Sequence, residues 1–309
     1  MEINMKLATS TCDFSEYVNN VYENLDCFDN TGFKYLDFNF DCETVYEILE
    51  KDDYLEEFKK IRDYADQKGY VFVQSHAPCC GNGLKKDEKY DRYIKLIKRS
   101  INVCPILGIP TIVVHAGHDG EIPLDEFFRR NKEFYSLFFE NMEKTGVYVL
   151  TENTYMAKMT YFFYGREIKA FLDYVGHPLL AACWDTGHAN IFTNQYHNIT
   201  DLGSYLKAVH VQDNFGMKDD HISPFQGTMN MDELLCALTD NGFEGPFTFE
   251  APQIIRRMDA WPVYRKNYEP TKGREPKLAS PSKEIKIEAE KLLYHIGKYC
   301  LESYDCFEN

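Results

Sequence analysis

The 309-residue chain has ten cysteines but no C-x-x-C pair. Cys12, Cys27, Cys42, Cys79, Cys80, Cys104, Cys183, Cys236, Cys300 and Cys306 are scattered, so paired-cysteine zinc and dithiol motifs are excluded. No apolar run is long enough to span a bilayer, and no signal-peptide pattern is visible. Reduced cysteines in a cytoplasmic protein without a membrane partner are therefore expected. Positive charge is scarce: 34 Lys and Arg stand against 49 Asp and Glu, for a formal net charge of −15. That balance argues against a protein that lives on phosphate backbones, and no nucleic-acid partner is expected. Internal repeats and low-complexity tracts are absent beyond the alternation described next.

The hydrophobic content of 44% can bury a large core, and 27% charged residues argue against general disorder. Short β-rich runs recur at 5–11, 33–40, 70–76, 111–117, 147–154, 179–185, 206–213 and 246–252. They are apolar on both faces, as strands of a parallel sheet covered by helices must be. Helical patterns lie between them, among them Tyr90–Val103, Pro123–Thr145 and Met231–Thr239. Asn230 is placed to cap the last of these, with Glu233 at N3 in a near capping-box arrangement. Eight alternations predict an α/β protein, one (β/α)8 TIM barrel spanning 1–309 as a single domain. A long loop is expected over 253–280, carrying Pro262, Pro270 and Pro276. A C-terminal helix is expected over 281–300, with Ile285, Ala289, Leu292, Leu293 and Ile296 on one face.

The chemistry-bearing residues gather at the C-terminal ends of these runs. The third ends in His76, the fourth in His115, the fifth in Glu152 and the sixth in Asp185, with His188 three residues on. The seventh carries His210 and the eighth Glu250, and the following stretch of the seventh adds Asp219 and His221. In a (β/α)8 barrel such ends converge on one mouth, where active sites of the fold lie. Asp185 closes an apolar run, where a buried carboxylate costs several kcal/mol unless offset. Capping of a following helical turn is one offset; a cation beside it is another. Imidazole and carboxylate together suit zinc, manganese, cobalt or ferrous iron. His118, His177, His197 and His295 lie elsewhere and are expected to be ordinary polar histidines. Trp184, Phe38 and Phe215 are candidate walls for a ring-shaped substrate.

The motifs VVHAG, LTENT, WDTGHAN, VHVQDN, DDHISPFQG and TFE resemble those of the xylose isomerase-like TIM barrels. These include D-tagatose 3-epimerases, inositol-pathway enzymes and endonuclease IV. The resemblance covers the chain from residue 5 to about 252, plus the final helix. It implies one divalent metal (manganese, zinc, cobalt or magnesium) on Glu152, Asp185, His210 and Glu250. It further implies that Glu152 and Glu250 are the acid–base pair moving a proton on a carbon beside a carbonyl. The remaining positions, His76, His115, His188, Asp219 and His221, are implied as substrate contacts or additional metal ligands. In the endonuclease IV branch all nine positions match a cluster of three zinc ions.

The expected function is therefore a metal-dependent isomerase or epimerase acting on a sugar, sugar phosphate or cyclitol. A dehydratase on a related polyol would use the same residues. The alternatives are a three-zinc phosphodiesterase and a non-catalytic sugar-binding barrel, which has no need for a metal–carboxylate pair. Arg256, Arg257, Arg265, Lys266, Lys272 and Arg274 form the one basic cluster, in the loop after the eighth strand where this fold often binds phosphate. A small carbohydrate is the expected partner, and a homo-oligomer is compatible with the sequence.

Overall fold

A computed structural model describes residues 3–155, 160–255, 278 and 280–308. The eight expected strands form in order. They are β1 (Met5–Ser10), β2 (Tyr35–Asn39), β3 (Val71–His76), β4 (Thr111–Val113), β5 (Tyr148–Glu152), β6 (Leu180–Asp185), β7 (Leu206–Val211) and β8 (Phe247–Phe249). All pair in parallel, and β1 bonds to both β2 and β8, closing the sheet into a barrel.

Helices α1 (Val21–Asp26), α2 (Glu43–Glu50), α3 (Tyr54–Lys68), α4 (Tyr90–Leu107), α5 (Leu124–Ser136) and α6 (Phe139–Thr145) punctuate the first half. In the second half lie α7 (Gly165–Val175), α8 (Thr186–Phe192), α9 (Tyr196–Leu202), α10 (Met231–Asp240) and α11 (Lys283–Ser303). A ninth short strand, β9 (Phe307–Glu308), was not foreseen; it pairs in parallel with Met5 and Lys6 of β1. Most of the expected 253–280 loop, including the whole basic cluster from Arg256 to Arg274, lies outside the described residues.

Several local expectations shift. The pattern over Pro123–Thr145 is two helices: the chain breaks at Leu137 and Phe138, and the break buries Phe138 completely, edge-on to Phe134 at 5.2 Å. Asn230 does cap α10, accepting from Glu233 N–H. The Glu233 carboxylate, however, turns away from that cap and accepts from the N–H groups of Gln195 and Tyr196, at the start of α9. The inward face of α11 is Lys286, Ala289, Glu290, Leu293, Gly297 and Cys300, whereas Ile285 and Leu292 are 52% and 53% exposed. Hydrophobicity misplaced that face because its buried positions include two charged residues and a glycine. Gly297 is required there: a Cβ would stand 2.5 Å from Leu7 and 2.6 Å from Phe249.

The barrel interior is apolar at its base. Ala8, Tyr35 and Val73 pack on one side, and Val113, Leu150, Ala181, Cys183 and Ala208 on the other. Toward the strand C-termini it turns polar. A register slip after Leu36 pairs Asp37 with Gln74, so Val73 and Gln74 both reach the interior, and Gln74 donates to Asp37 at 2.7 Å. A second slip after Ala182 sets Asp185 directly beside His210. Such bulges re-aim side chains near sites.

The α11 charges close against β1. Lys286 Nζ donates to the Pro252 carbonyl at 3.1 Å and lies 3.6 Å from the Glu290 carboxylate. Thr9 donates to Glu290 at 2.8 Å and to Asp13 at 3.1 Å. Burial raises the Asp13 carboxyl well above the usual range, with Glu290 adding to the shift, so the two acids share one cation between them. Removing that cation leaves buried carboxylate uncompensated. Lys286→Met is expected to destabilise the chain by about 3–5 kcal/mol, read as a lower urea midpoint in chemical denaturation. An unchanged midpoint would show that losing the Lys286 cation leaves no uncompensated carboxylate buried.

Candidate metal centre

All nine residues singled out at the strand ends come together at the C-terminal mouth of the barrel. Glu152 closes β5 and accepts from His210 Nδ1 at 2.6 Å and from His115 Nε2 at 2.8 Å. The same His210 nitrogen lies 3.3 Å from the Glu250 carboxylate, which follows β8. Donor atoms of Glu152, Asp185, His210 and Glu250 all lie within 4.8 Å of one another. Three carboxylates and one imidazole are a fitting donor set for a divalent cation such as manganese, zinc or cobalt. Cys183, also within that distance of Glu152 and His210, is fully buried.

A second group joins through Asp185. Asp185 caps α8 by accepting the His188 N–H at 2.7 Å, which is one of the two offsets considered for this carboxylate, and it also sits among the candidate metal ligands. Asp185, His188 and Asp219 also lie within 4.8 Å of one another, and His221 Nε2 stands 2.8 Å from Asp219. His221 holds a left-handed backbone, with φ of 50°, its N–H donating to Gln212. Non-glycine residues keep that conformation when their surroundings over-determine it. On the far side His76 and His115 meet through their Nε2 atoms at 3.0 Å.

The electrostatics follow from crowded acids. Burial pushes the Asp185 carboxyl up to about 7, and Glu152, Asp219 and Glu250 add to the shift against the pull of His188. Burial acts the same way on Glu152, but His210 and His115 outweigh it and hold that carboxyl well below the usual range. Burial disfavours charge on His210, yet Cys183, Glu250 and Glu152 around it hold the imidazole well above its ordinary value. The carboxylates around His210 thus favour its protonated form.

Three supporting residues escaped the sequence reading. Asn153 clamps the end of β6, accepting the Asp185 N–H at 2.6 Å and donating to the Asp185 carbonyl at 2.8 Å. Its own carbonyl faces His188 Nδ1 at 2.8 Å, which turns the opposite ring edge toward Asp219. Gln212 is fully buried; its amide N–H group donates to Asp185 at 3.3 Å and to Asp219. Gly187 is dictated by that amide, because a Cβ there would meet it at 2.2 Å. The third is Cys79, whose donor atom lies within 4.8 Å of those of His76 and His115. Asn153 and Gln212 sit inside motifs quoted for their charged neighbours, and their amide chemistry is visible only once the strands are paired.

The aromatic walls are a correction. Trp184 is fully buried with its indole N–H bonded to Gln195 at 2.9 Å, and Phe38 packs among Phe40, Phe58 and Phe72 under the helices. Both point outward because they alternate with Cys183 and Asp185 or with Asp37, which point in. Phe215 is 55% exposed. An aromatic ring that does stand beside the site is Tyr155, whose ring centre lies 4.6 Å from that of His188. It lines a cavity of about 220 Å³ with Cys79, Tyr93, His115, Glu152 and His188. His118 lines the same cavity, while His177 stacks on Phe139 at 4.1 Å, as an ordinary packed histidine does.

Comparison with known proteins agrees with this fold. The family model for xylose isomerase-like TIM barrels matches residues 29–266. An uncharacterized protein, y4fM of Sinorhizobium fredii, is 27% identical over 190 residues, 57% of this chain and 56% of that one. The uncharacterized protein MJ1311 of Methanocaldococcus jannaschii is 24% identical over 192 residues, 60% and 66% of the two chains. The match thus spans little more than half of the first curated relative. Among solved structures, a D-psicose 3-epimerase in the presence of D-fructose superposes with a TM-score of 0.72 at 16% identity, covering 96% of this chain and 99% of that one. A D-tagatose 3-epimerase-like protein gives 0.70 at 17%, covering 97% and 100%. The IOLI protein with a bound zinc atom gives 0.70 at 17%, covering 95% and 98%. These likenesses show a shared fold.

Filling the four-residue donor set requires Asp185 ionised and His210 neutral, so protons must leave as a cation enters. Affinity for Mn²⁺ is expected to fall as pH drops through about 7, where Asp185 takes a proton, and to rise above it as His210 gives one up. Calorimetric titration in buffers of different ionisation enthalpy checks this: each proton released steepens the dependence by about tenfold in affinity per pH unit. A flat profile between pH 6 and pH 9 would contradict the assignment.

Proposed function

The chain belongs to the xylose isomerase-like TIM barrel family, and from that premise we propose that it is a divalent-metal-dependent isomerase or epimerase. Its substrate is a sugar, sugar phosphate or cyclitol, and it works by proton transfer beside a carbonyl. The observation that carries this reading is the convergence of Glu152 and Glu250, from different strands, on one histidine inside a four-ligand cluster. A D-psicose 3-epimerase and a D-tagatose 3-epimerase-like protein share the fold, and the IOLI protein binds zinc on it.

Glu152, Asp185, His210 and Glu250 would hold the cation. Bound there, it supplies Lewis-acid stabilisation of the negative charge that builds on a carbonyl oxygen as the neighbouring carbon loses its proton. The chain's own residues do the rest. Glu152 and Glu250 present carboxylates from two directions, so one removes the proton and the other returns it. The two are not equivalent: the Glu152 side chain is 2% exposed and held by two imidazoles, whereas that of Glu250 is 17% exposed. His188, fixed by the Asn153 carbonyl, faces the cavity with Tyr155 and orients substrate hydroxyls. Burial of the cluster excludes bulk water, which strengthens each charge interaction.

The second reading, a phosphodiesterase on three zinc ions, draws on the further grouping of Asp185, His188 and Asp219. The net charge of −15 weighs against a polyanionic substrate. Weak affinity for DNA with abasic sites is expected, and metal-dependent nicking of such DNA at moderate salt would reverse the ranking.

Glu152→Gln and Glu250→Gln keep the side-chain shape and remove the base. Each is expected to fold normally and to lose about 10²–10⁴-fold in turnover on the responsive sugar. In D₂O, the wild-type protein should place deuterium on the carbon beside the carbonyl. Turnover without any label in substrate or product would indicate a hydride shift and remove the two-base mechanism.

A further inference from the structure

We infer that Asp37 is a positioning residue: its carboxylate faces the Nε2–H of His210 and thereby fixes the opposite edge of that ring, Nδ1, as the one offered to a cation. The two edges of the His210 ring have different surroundings. Nδ1 lies 2.6 Å from the Glu152 carboxylate and 3.3 Å from that of Glu250, among the four candidate ligands. Nε2 stands 3.7 Å from an Asp37 carboxylate oxygen. The His76 ring stacks on this one, with centres 5.8 Å apart and planes 29° from parallel. Stacking holds the plane of the imidazole, but a half-turn about its Cβ–Cγ bond keeps that plane and exchanges nitrogen positions for carbon ones. What each nitrogen meets therefore decides the orientation.

Asp37 is otherwise poorly matched. It is 1% exposed, so a substrate in the cavity does not reach it. The oxygen nearest His210 accepts from the Gln74 amide at 2.7 Å, and the other has no hydrogen-bond partner among the described residues. Among those residues His210 is also the one basic side chain within ion-pair distance of Asp37. A buried carboxylate served by a single neutral donor is costly, and it persists where a further donor or charge answers it. The chain builds the arrangement with a strand irregularity: the slip after Leu36 sets Gln74, instead of Val73, opposite Asp37 in the register. The carboxylate is thus held from one side by an amide and presented to the imidazole on the other.

A neutral imidazole carries one proton. A cation on Nδ1 needs the lone pair there, so the proton belongs on Nε2, and a carboxylate in front of Nε2 favours that tautomer and makes Nδ1 the stronger donor. The 3.7 Å separation is about 0.5 Å beyond the N–H···O hydrogen-bond range, a gap that a small tilt of the ring closes. In the metal-free protein Nδ1 is drawn to Glu152 instead. The consequence for metal affinity rests on the centre proposed above; the facing of Asp37 and Nε2 does not.

The test uses the full chain with ¹⁵N-labelled histidine, stripped with a chelator and titrated with Zn²⁺ for resonance spectra and with Mn²⁺ for affinity. The His210 signals are identified by their loss in His210→Gln. With Zn²⁺, wild-type His210 is expected to carry its proton on Nε2, with that proton far downfield and slow to exchange. Asp37→Asn keeps the shape and an acceptor for Gln74. It should move the Nε2–H signal upfield and weaken Mn²⁺ binding by about 10–100-fold, with a urea midpoint no lower than that of the wild type. The wild-type signal requires no variant to fold. Unchanged Mn²⁺ affinity in Asp37→Asn, or a wild-type Nε2–H that exchanges as fast as an exposed imidazole, would overturn the inference. A wild-type chain that binds neither ion would remove the centre proposed above. The Asp37 contact would then stand if Asp37→Asn still shifted the metal-free Nε2–H signal, and fall if it did not.

Discussion

Crowded negative charge at the barrel mouth is the constraint on which the rest of the structure turns. Glu152, Asp185 and Asp219 are almost completely buried, with Glu250 close beside them. Isolated carboxylates in such a place would be prohibitively costly, so each has to be matched by a donor or a cation. The surroundings bear this demand out in detail. His210 and His115 serve Glu152, His188 and His221 serve Asp219, and the Gln212 amide joins Asp185 to Asp219. The barrel puts these groups on strand ends because strands are stiff and their C-terminal ends share one mouth.

Much of this was legible in the sequence, for physical reasons that can be named. Strands covered by helices on both faces read as short apolar runs, so all eight were found with ends displaced by only a few residues. A charged residue that terminates such a run stands out, which is why His76, Glu152, Asp185, His210 and Glu250 were visible. Neutral partners were not visible. Asn153 and Gln212 are small polar residues whose role depends on what the neighbouring strand brings opposite them. Cys79 stands three residues after His76, a spacing the sequence does display, but its second partner comes from the next strand and only the fold brings it there.

The misread positions share a cause in alternation. Trp184 and Phe38 are candidate cavity walls on their aromatic character alone. In a strand, adjacent residues face opposite ways, so a neighbour of Asp185 or Asp37 points into the helix layer instead. The α11 face failed for a different reason. Its buried positions include Lys286 and Glu290, and a helix that buries a compensated ion pair hides from any hydrophobic pattern. The same buried pair ties α11 to Thr9 and Pro252, at the C-terminal ends of β1 and β8, close to where Glu250 emerges. Helix α11 thus anchors part of the mouth's wall.

Positioning and reactivity are divided unequally among the carboxylates. Asp185 has its N–H and carbonyl clamped by Asn153, its side chain capping α8 and its carboxylate held by Gln212, so it has little freedom left. Glu152 is nearly as constrained, between two imidazoles. Glu250 follows a three-residue strand, is anchored through its N–H to the Val211 carbonyl at 3.1 Å, and keeps the more open side chain. A group that must take a proton from carbon and lose it again needs room to approach and a route to exchange. A group that orients a cation needs the opposite. On the proton-transfer reading, the division of labour follows: Asp185 serves as a fixed ligand, Glu152 as a ligand whose two imidazole partners can absorb its change of charge, and Glu250 as the carboxylate best placed to exchange its proton with the cavity.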